Sequence, residues 1–261
     1  MITYQNLTSI HPEAKIGNNV TIEPFTTISK DVEIGHDTWI GPNVTIMDGA
    51  RIGSSCKIFP GAVISAVPQD LKFNNELSIV EIGNYTTIRE CVTINRGTAA
   101  LGITKVGSNC LIMAYCHIAH DCLVGDYSIL SNNATLAGHV EIGRGSVLSG
   151  LTAIQQFCRV GEFSFVAGGS RVRKDIPPYV KSGKDPLVFL GINSVGLKRN
   201  NFSSDQIKNI ENMYRFIYNS KKNISQALEE IEKKFDASFE KNTIVSFLKK
   251  SRLGILKSTF K

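Results

Sequence analysis

Three of the chain's five histidines, His117, His120 and His139, fall in one short region. It comprises the run Cys110-Leu-Ile-Met-Ala-Tyr-Cys-His-Ile-Ala-His-Asp-Cys122 and, soon after it, Leu136-Ala-Gly-His-Val140. An imidazole titrates near neutrality, so it can take a proton from a hydroxyl and return it within one cycle. Asp121 directly follows His120, a carboxylate able to orient the ring and stabilise its charged form. Gly138 offers a main-chain N–H unobstructed by a side chain. A histidine with its adjacent carboxylate, a bare glycine backbone and a second histidine make a candidate site of proton-transfer chemistry, provided the chain brings residues 120, 121, 138 and 139 together.

A repeat of six supplies that placement. An aliphatic residue recurs from Ile10 through Ile16, Ile22 and Ile28 to Ile64, returns at Ile82, Ile88 and Ile94, and runs from Val106 to Val172. Gly often follows this beat, and four positions after it comes a small or β-branched residue such as Val20 or Thr26. Neither an amphipathic helix nor an alternating strand has period six. The period is that of a parallel β-helix, in which each hexad is one short strand and turn, buried only by stacking on its neighbours. Three hexads close a triangular coil, so residues eighteen apart stack at about 4.8 Å. His120 is then expected below Gly138 and Gln156, and Asp121 below His139 and Phe157.

Two breaks interrupt the beat. Residues 65–79 include Pro68, Gln69, Asp70, Lys72 and Glu76, too polar for a coil wall, and should protrude from a corner; residues 99–105 form a second, shorter break. Both keep the phase of six. Ile176-Pro-Pro-Tyr179 is expected to stop strand formation. The domains expected are a parallel β-helix over 1–185, after a short lead-in of residues 1–9, and a C-terminal helical domain over 186–261. Ser203 with Gln206 reads as a capping box opening a helix to about Ser220, with Ile207, Ile210, Met213, Tyr214 and Ile217 on one face. Further helical pieces fit 225–234 and 240–251.

No apolar run is long enough to span a membrane, and Met1 to Pro12 lacks the regions of a signal peptide, which makes the cytoplasm the expected location. Of six cysteines, Cys56, Cys110, Cys116, Cys122 and Cys158 occupy the inward small-residue slot and are expected to be reduced packing residues. The net charge of +6 is uneven: residues 171–261 carry nineteen Lys and Arg against nine Asp and Glu. Such a surface suits an anionic partner, although Lys221-Lys222 and Lys249-Lys250 read as solvated helix faces. Wall residues such as Tyr115 and His117 suggest satisfaction in a cyclic assembly about the coil axis.

The hexads resemble those of many acyltransferases. More specific are His117-Ile-Ala-His-Asp-Cys122, Gln69-Asp-Leu-Lys72, Thr93-Ile-Asn-Arg-Gly97, Asn133-Ala-Thr-Leu-Ala-Gly-His-Val140, Gln156-Phe-Cys158 and Gly196-Leu-Lys-Arg199. Together, and over essentially the whole chain, they resemble the UDP-N-acetylglucosamine O-acyltransferases of lipid A biosynthesis. The resemblance implies a homotrimer of left-handed parallel β-helices, mainly β, with C-terminal helices and active sites between subunits. The implied reaction moves a β-hydroxyacyl group from the phosphopantetheine thioester of acyl carrier protein to the 3-hydroxyl of UDP-N-acetylglucosamine, without cofactor or metal. It makes His120 the general base, Asp121 its partner and Gly138 the oxyanion donor. Gln69, Asp70 and Lys72 would hold the sugar and nearby groups, His117, His139 and Gln156 the nucleotide sugar or pantetheine, and Asn193 and Arg199 the nucleotide end, while Gly168 would keep an acyl groove open for a long chain. Gln155, Val195 and Asn200 depart from the family's usual histidine, glutamate and arginine.

Other readings remain open at this level. The related lipid A N-acyltransferase carries a uridine-binding domain ahead of its coils, and here hexads begin at Ile10; acetyl-CoA-dependent acetyltransferases lack the loop from Gln69 to Lys72. A hexapeptide carbonic anhydrase would bind zinc through residues such as His117 and His120. A binder of nucleic acid or acidic protein would leave the His120, Asp121 and Gly138 arrangement unused, so nucleic acid is not an expected partner.

Overall fold

The computed structural model describes residues 7–220 and 222–258; Lys221, most of the lead-in and the last three residues lie outside them. From Ser9 to Val172 the chain winds in short strands, mostly of two residues, that pair in parallel into three walls. Each wall strand pairs with the one a lap later, as in Thr135↔Ala153 and Leu123↔Glu141, a step of eighteen residues. Across the first insertion the step becomes thirty, as in Ile52↔Ile82, and across the second twenty-four, as in Ile82↔Val106. The insertions therefore add two hexads and one hexad, and the inward beat keeps its place.

The beat residues fill the prism: Ile64, Ile94, Ile118 and Leu136 are fully buried in one column. The small slot has its own chemistry. Thr38, Thr86, Ser128 and Ser146 donate their hydroxyls to the carbonyls of Gly53, Gly107, Gly143 and Gly161 at 2.7–3.1 Å. The thiols of Cys56 and Cys110 do the same towards Gly83 and Gly125 at 3.2 and 3.3 Å. Thr, Ser and Cys interchange in this column, from Thr38 to Ser146, because each is a small donor, whereas the slots of the other two walls also take Val and Ala. All five slot cysteines are buried and free, as expected.

Outward residues differ by wall. The second wall carries a ladder of alternating charge, Lys15, Glu33, Arg51, Glu81 and Lys105, broken by Leu123 and resumed by Glu141 and Arg159, with pairs such as Lys15–Glu33 at 2.8 Å and Arg159–Glu141 at 2.9 Å. The first wall presents mostly small, uncharged residues, Thr27, Thr45, Val63, Thr93, Thr135 and Ala153, with His117 among them and Arg171 on its last strand; the third presents Thr21, Trp39, Lys57 and Thr87, then the apolar stretch Leu111, Ile129, Val147 and Phe165, and Lys181.

The pair Pro177 and Pro178 turns a corner rather than ending the sheet. Val180–Gly183 pairs in parallel with Phe165–Val166, and Val188–Ile192 then adds to it antiparallel, so strand structure continues past residue 185. Proline's missing N–H costs nothing at a corner position outside the ladder. Among the described residues four helices follow: α1 (Ser194–Arg199), α2 (Ser204–Asn219), α3 (Ile224–Lys234) and α4 (Phe239–Lys249). The α2 capping box is present, and its five expected apolar residues are its buried ones. They pack on the coil end, where the Tyr214 hydroxyl donates to the Pro178 carbonyl at 2.7 Å and Tyr218 stacks on Phe189. Helix α1 has six residues, too few to show a period, and is held by the Asn193 side chain accepting from the Gly196 N–H.

Candidate active site

Each lap has three corners, and the one between the first and second walls bears both insertions and the histidine run. Its backbone places the third residue in the left-handed region, as at Asp121 (φ 58°), His139 (φ 61°) and Phe157 (φ 67°). The repeat sets this conformation, and Asp accepts it more readily than most side chains. His139 donates its N–H to the His120 carbonyl at 3.1 Å and Phe157 to that of Gly138 at 3.2 Å, which locks the stack expected from the period. His120, Gly138 and Gln156 rise in one column, and Asp121, His139 and Phe157 in the next. The His139 and Phe157 rings stack at 4.6 Å, and His139 meets His120 edge to face at 5.1 Å.

His120 and Asp121 are 7% and 2% exposed, so their polar atoms need partners from the protein. His120 Nδ1 lies 2.8 Å from Asp121 Oδ2. Thr98 donates its hydroxyl to the same oxygen at 2.6 Å and its N–H to Oδ1 at 3.0 Å, and the Leu101 N–H reaches Oδ1 at 3.2 Å. Burial pushes the Asp121 carboxyl up, but the Thr98 hydroxyl, His120 and the Thr98 N–H outweigh it and hold it below the usual range. An ionised Asp121 takes the proton of Nδ1 as its donor, which leaves Nε2 as the free lone pair of a neutral ring. That nitrogen faces Asp70 Oδ2 at 4.0 Å, beyond direct bonding. Asp70 is itself fixed by the Lys72 N–H at 3.0 Å.

Gly138 is constrained by its neighbour. A Cβ there would stand 2.6 Å from His120 Cε1 and 2.7 Å from Nε2. Among the described residues the Gly138 N–H donates to no backbone carbonyl, whereas those of Ala137 and His139 on either side do. A bare, unengaged N–H beside an imidazole lone pair is what oxyanion stabilisation requires.

The remaining expected residues divide. Gln156, Gln69 and Lys72 lie exposed at the same corner. His117 points out of the first wall, its Nδ1 2.7 Å from the Thr93 hydroxyl; burial, then the charge of His120, depresses its pKa below 6.5. Donor atoms of His120, Asp121 and His139 lie within 4.8 Å of one another, so a metal ion would find its ligands there and not in the pair His117 and His120. Asn193 and Arg199 are elsewhere: the Asn193 amide donates to the Phe163 carbonyl at 2.9 Å, and Arg199 shares a groove with Tyr127 and Arg144, all at the corner between the second and third walls. Gly168 sits exposed at the third corner, above Gly150. Of the departures, Val195 is exposed, and Asn200 caps α1 by donating its amide to the Gly196 carbonyl at 2.8 Å.

Thr98 and Leu101 escaped the sequence reading. The second break was visible, but a loop offset from the hexad phase gives no coordinate from which its contacts follow. An open groove of about 920 Å³ runs from Asp121, His139 and Phe157 to the basic residues Arg159, Lys250 and Arg252.

Residues 175–256 match the model of the second domain of UDP-N-acetylglucosamine O-acyltransferase, and residues 31–66 and 103–138 match the bacterial transferase hexapeptide repeat. The acyl-[acyl-carrier-protein]--UDP-N-acetylglucosamine O-acyltransferase of Janthinobacterium sp. is 45% identical over 206 residues, 77% of this chain and 79% of that one. The UDP-N-acetylglucosamine acyltransferase structure from Bacteroides fragilis is 49% identical, with a TM-score of 0.95 over 98% of this chain and 100% of that one. That from Francisella novicida is 39% identical, with a TM-score of 0.94 over 97% and 94%. The fold is the left-handed parallel β-helix with C-terminal helices. By sequence, by repeat and by structure the chain belongs to the UDP-N-acetylglucosamine O-acyltransferase family.

Proposed function

We propose that the chain transfers a β-hydroxyacyl group from the phosphopantetheine thioester of acyl carrier protein to the 3-hydroxyl of UDP-N-acetylglucosamine, the first step of lipid A biosynthesis. The observation that carries this reading is the His120–Asp121 pair set against the free N–H of Gly138. His120 Nε2 takes the proton of the sugar hydroxyl, whose oxygen attacks the thioester carbonyl. The oxyanion of the tetrahedral intermediate accepts the Gly138 N–H. Collapse expels the thiolate, which recovers the proton from the imidazolium held by Asp121. Both reactants are accounted for without a covalent enzyme intermediate, a cofactor or a metal. Asp70, Lys72 and Gln69 bind the sugar, and His139 and Gln156 line its approach.

A homotrimer is the assembly this reading requires. Asn193, Arg199 and Gly168 stand at corners other than that of His120, so neighbouring copies must bring the nucleotide-binding end and the acyl groove to each base. The first wall, uncharged up to Arg171 and carrying His117, and the apolar stretch of the third wall from Leu111 to Phe165 suit packing between copies, and the charged second wall suits water. The basic end of the groove beside His139, with Lys249, Lys250 and Arg252, fits an acidic carrier protein. No helix among the described residues is long and apolar enough to cross a membrane, in keeping with a cytoplasmic enzyme. The test is incubation with UDP-N-acetylglucosamine and a panel of acyl carrier protein and CoA thioesters. A 3-O-acyl product from β-hydroxyacyl carrier protein is expected, and turnover with acetyl-CoA instead would overturn the assignment. Bound metal at one ion per chain in purified protein would favour a metal enzyme.

A further inference from the structure

We infer that the second insertion is the positioning element of the base, with Thr98 as the residue that sets the Asp121 carboxylate. This rests on the acyl-transfer reading and adds to it a residue that touches no reactant. The insertion adds a single hexad to its lap, and its loop folds over the buried carboxylate of Asp121. Thr98 is buried, and its hydroxyl and N–H bind both oxygens of Asp121 at 2.6 and 3.0 Å. The backbone of Asp121 is caught from below as well, its N–H donating to the Thr104 hydroxyl at 2.8 Å. Asp121 is thus gripped by both ends of the insertion. Gly97 lets the loop close, since a side chain there would run into the backbone of Gly102 and Ile103.

The same loop is tied to the first insertion, which carries Asp70. The Ala99 N–H donates to Glu76 Oε1 at 3.0 Å, the Asn95 amide donates to the Val67 carbonyl at 3.0 Å, and the Arg96 guanidinium lies 5.5 Å from the centre of the Phe73 ring. One loop therefore fixes the carboxylate behind the imidazole and braces the loop in front of it. Without the Thr98 hydroxyl, Oδ1 keeps its two N–H donors but Oδ2 retains only His120 as hydrogen-bond partner, which weakens the anchor of the tautomer that exposes Nε2.

The tests are Thr98→Val, which removes the hydroxyl at nearly constant shape, and Thr98→Ser, which keeps it. A hydrogen bond to a charged group of this strength predicts a kcat for T98V lower by about tenfold to a hundredfold, with KM for the sugar nucleotide nearly unchanged and T98S close to wild type. A kcat within twofold of wild type in T98V, or a T98S as slow as T98V, overturns the inference. The ¹⁵N spectrum of His120 tests it independently of turnover: the Nδ1–H tautomer should dominate in wild type and T98S and lose population in T98V. An unchanged spectrum in T98V overturns the positioning role even if the wild type transfers no acyl group, a result that would instead count against the acyl-transfer reading.

Discussion

The corner between the first and second walls and the corner between the second and third are built on one backbone and used oppositely. At the second of these, Gly17, Gly35, Gly53, Gly83, Gly107, Gly125, Gly143 and Gly161 form a column in which an added Cβ would press on the next lap. At three of these glycines the N–H that follows donates to a side chain one lap on: Ser108 donates to Asp126 at 2.7 Å, Ser54 to Asn84 and Asn18 to His36 at 2.8 Å. At the first, the equivalent N–H of Gly138 is left unengaged, and the polar side chains satisfy one another instead. The contrast lies in what surrounds the donor: a side chain one lap on takes the N–H of Ser108, Ser54 and Asn18, whereas an imidazole stands beside that of Gly138 and leaves it open.

The largest effect should come from His120→Ala, which is expected to lower acyl transfer by about 10²–10⁴-fold while the melting temperature moves little; a loss of fold would place His120 on the structural side of the comparison. A matched pair of glycine substitutions sharpens it. In Gly138→Ala the new methyl meets the His120 ring, so turnover should fall on the order of a hundredfold with little loss of stability. In Gly125→Ala it meets the backbone of Arg144 at 2.7 Å, where the lap itself must shift. That variant should lose about 1–3 kcal/mol of stability in denaturant titration, with kcat per folded molecule retained. Asp126→Ala, which strips the cap from the Ser108 N–H, should cost about 0.5–1.5 kcal/mol and leave kinetics alone.

Two smaller tests concern titration. His117 has a folded pKa below 6.5, so the unfolded chain binds more protons as the solution is acidified, and stability is lost as pH falls below about 6.5. His117→Asn should flatten that segment of the stability curve, and an unaltered slope would show that the ring is not held neutral. Burial pushes the thiols of Cys110 and Cys116 up to about 11 and those of Cys122 and Cys158 up to about 12, whereas Cys91 is exposed. An alkylating reagent at neutral pH should label Cys91 in the native protein and reach the others only on unfolding.

The coil and most of its reactive corner were legible because a fixed period is a coordinate system: Ile118 fixes where His120 stands, and one lap later Leu136 fixes Gly138. Legibility ended where the period did. The hairpin of Val180–Gly183 and Val188–Ile192 was hidden behind Pro177 and Pro178, whose ban on strand formation does not apply at a corner. Thr98 lay in an insertion whose contacts depend on three dimensions, and α1 was too short to announce itself. The helix α2 succeeded for the opposite reason, since its capping box and apolar face are local signals.

Product analysis of wild type and His120→Ala, each given UDP-N-acetylglucosamine and a β-hydroxyacyl carrier protein at neutral pH, bears most directly on the base assignment. Wild type should yield UDP-sugar acylated at the 3-hydroxyl, and the folded variant should yield almost none. Equal product from both proteins would contradict it.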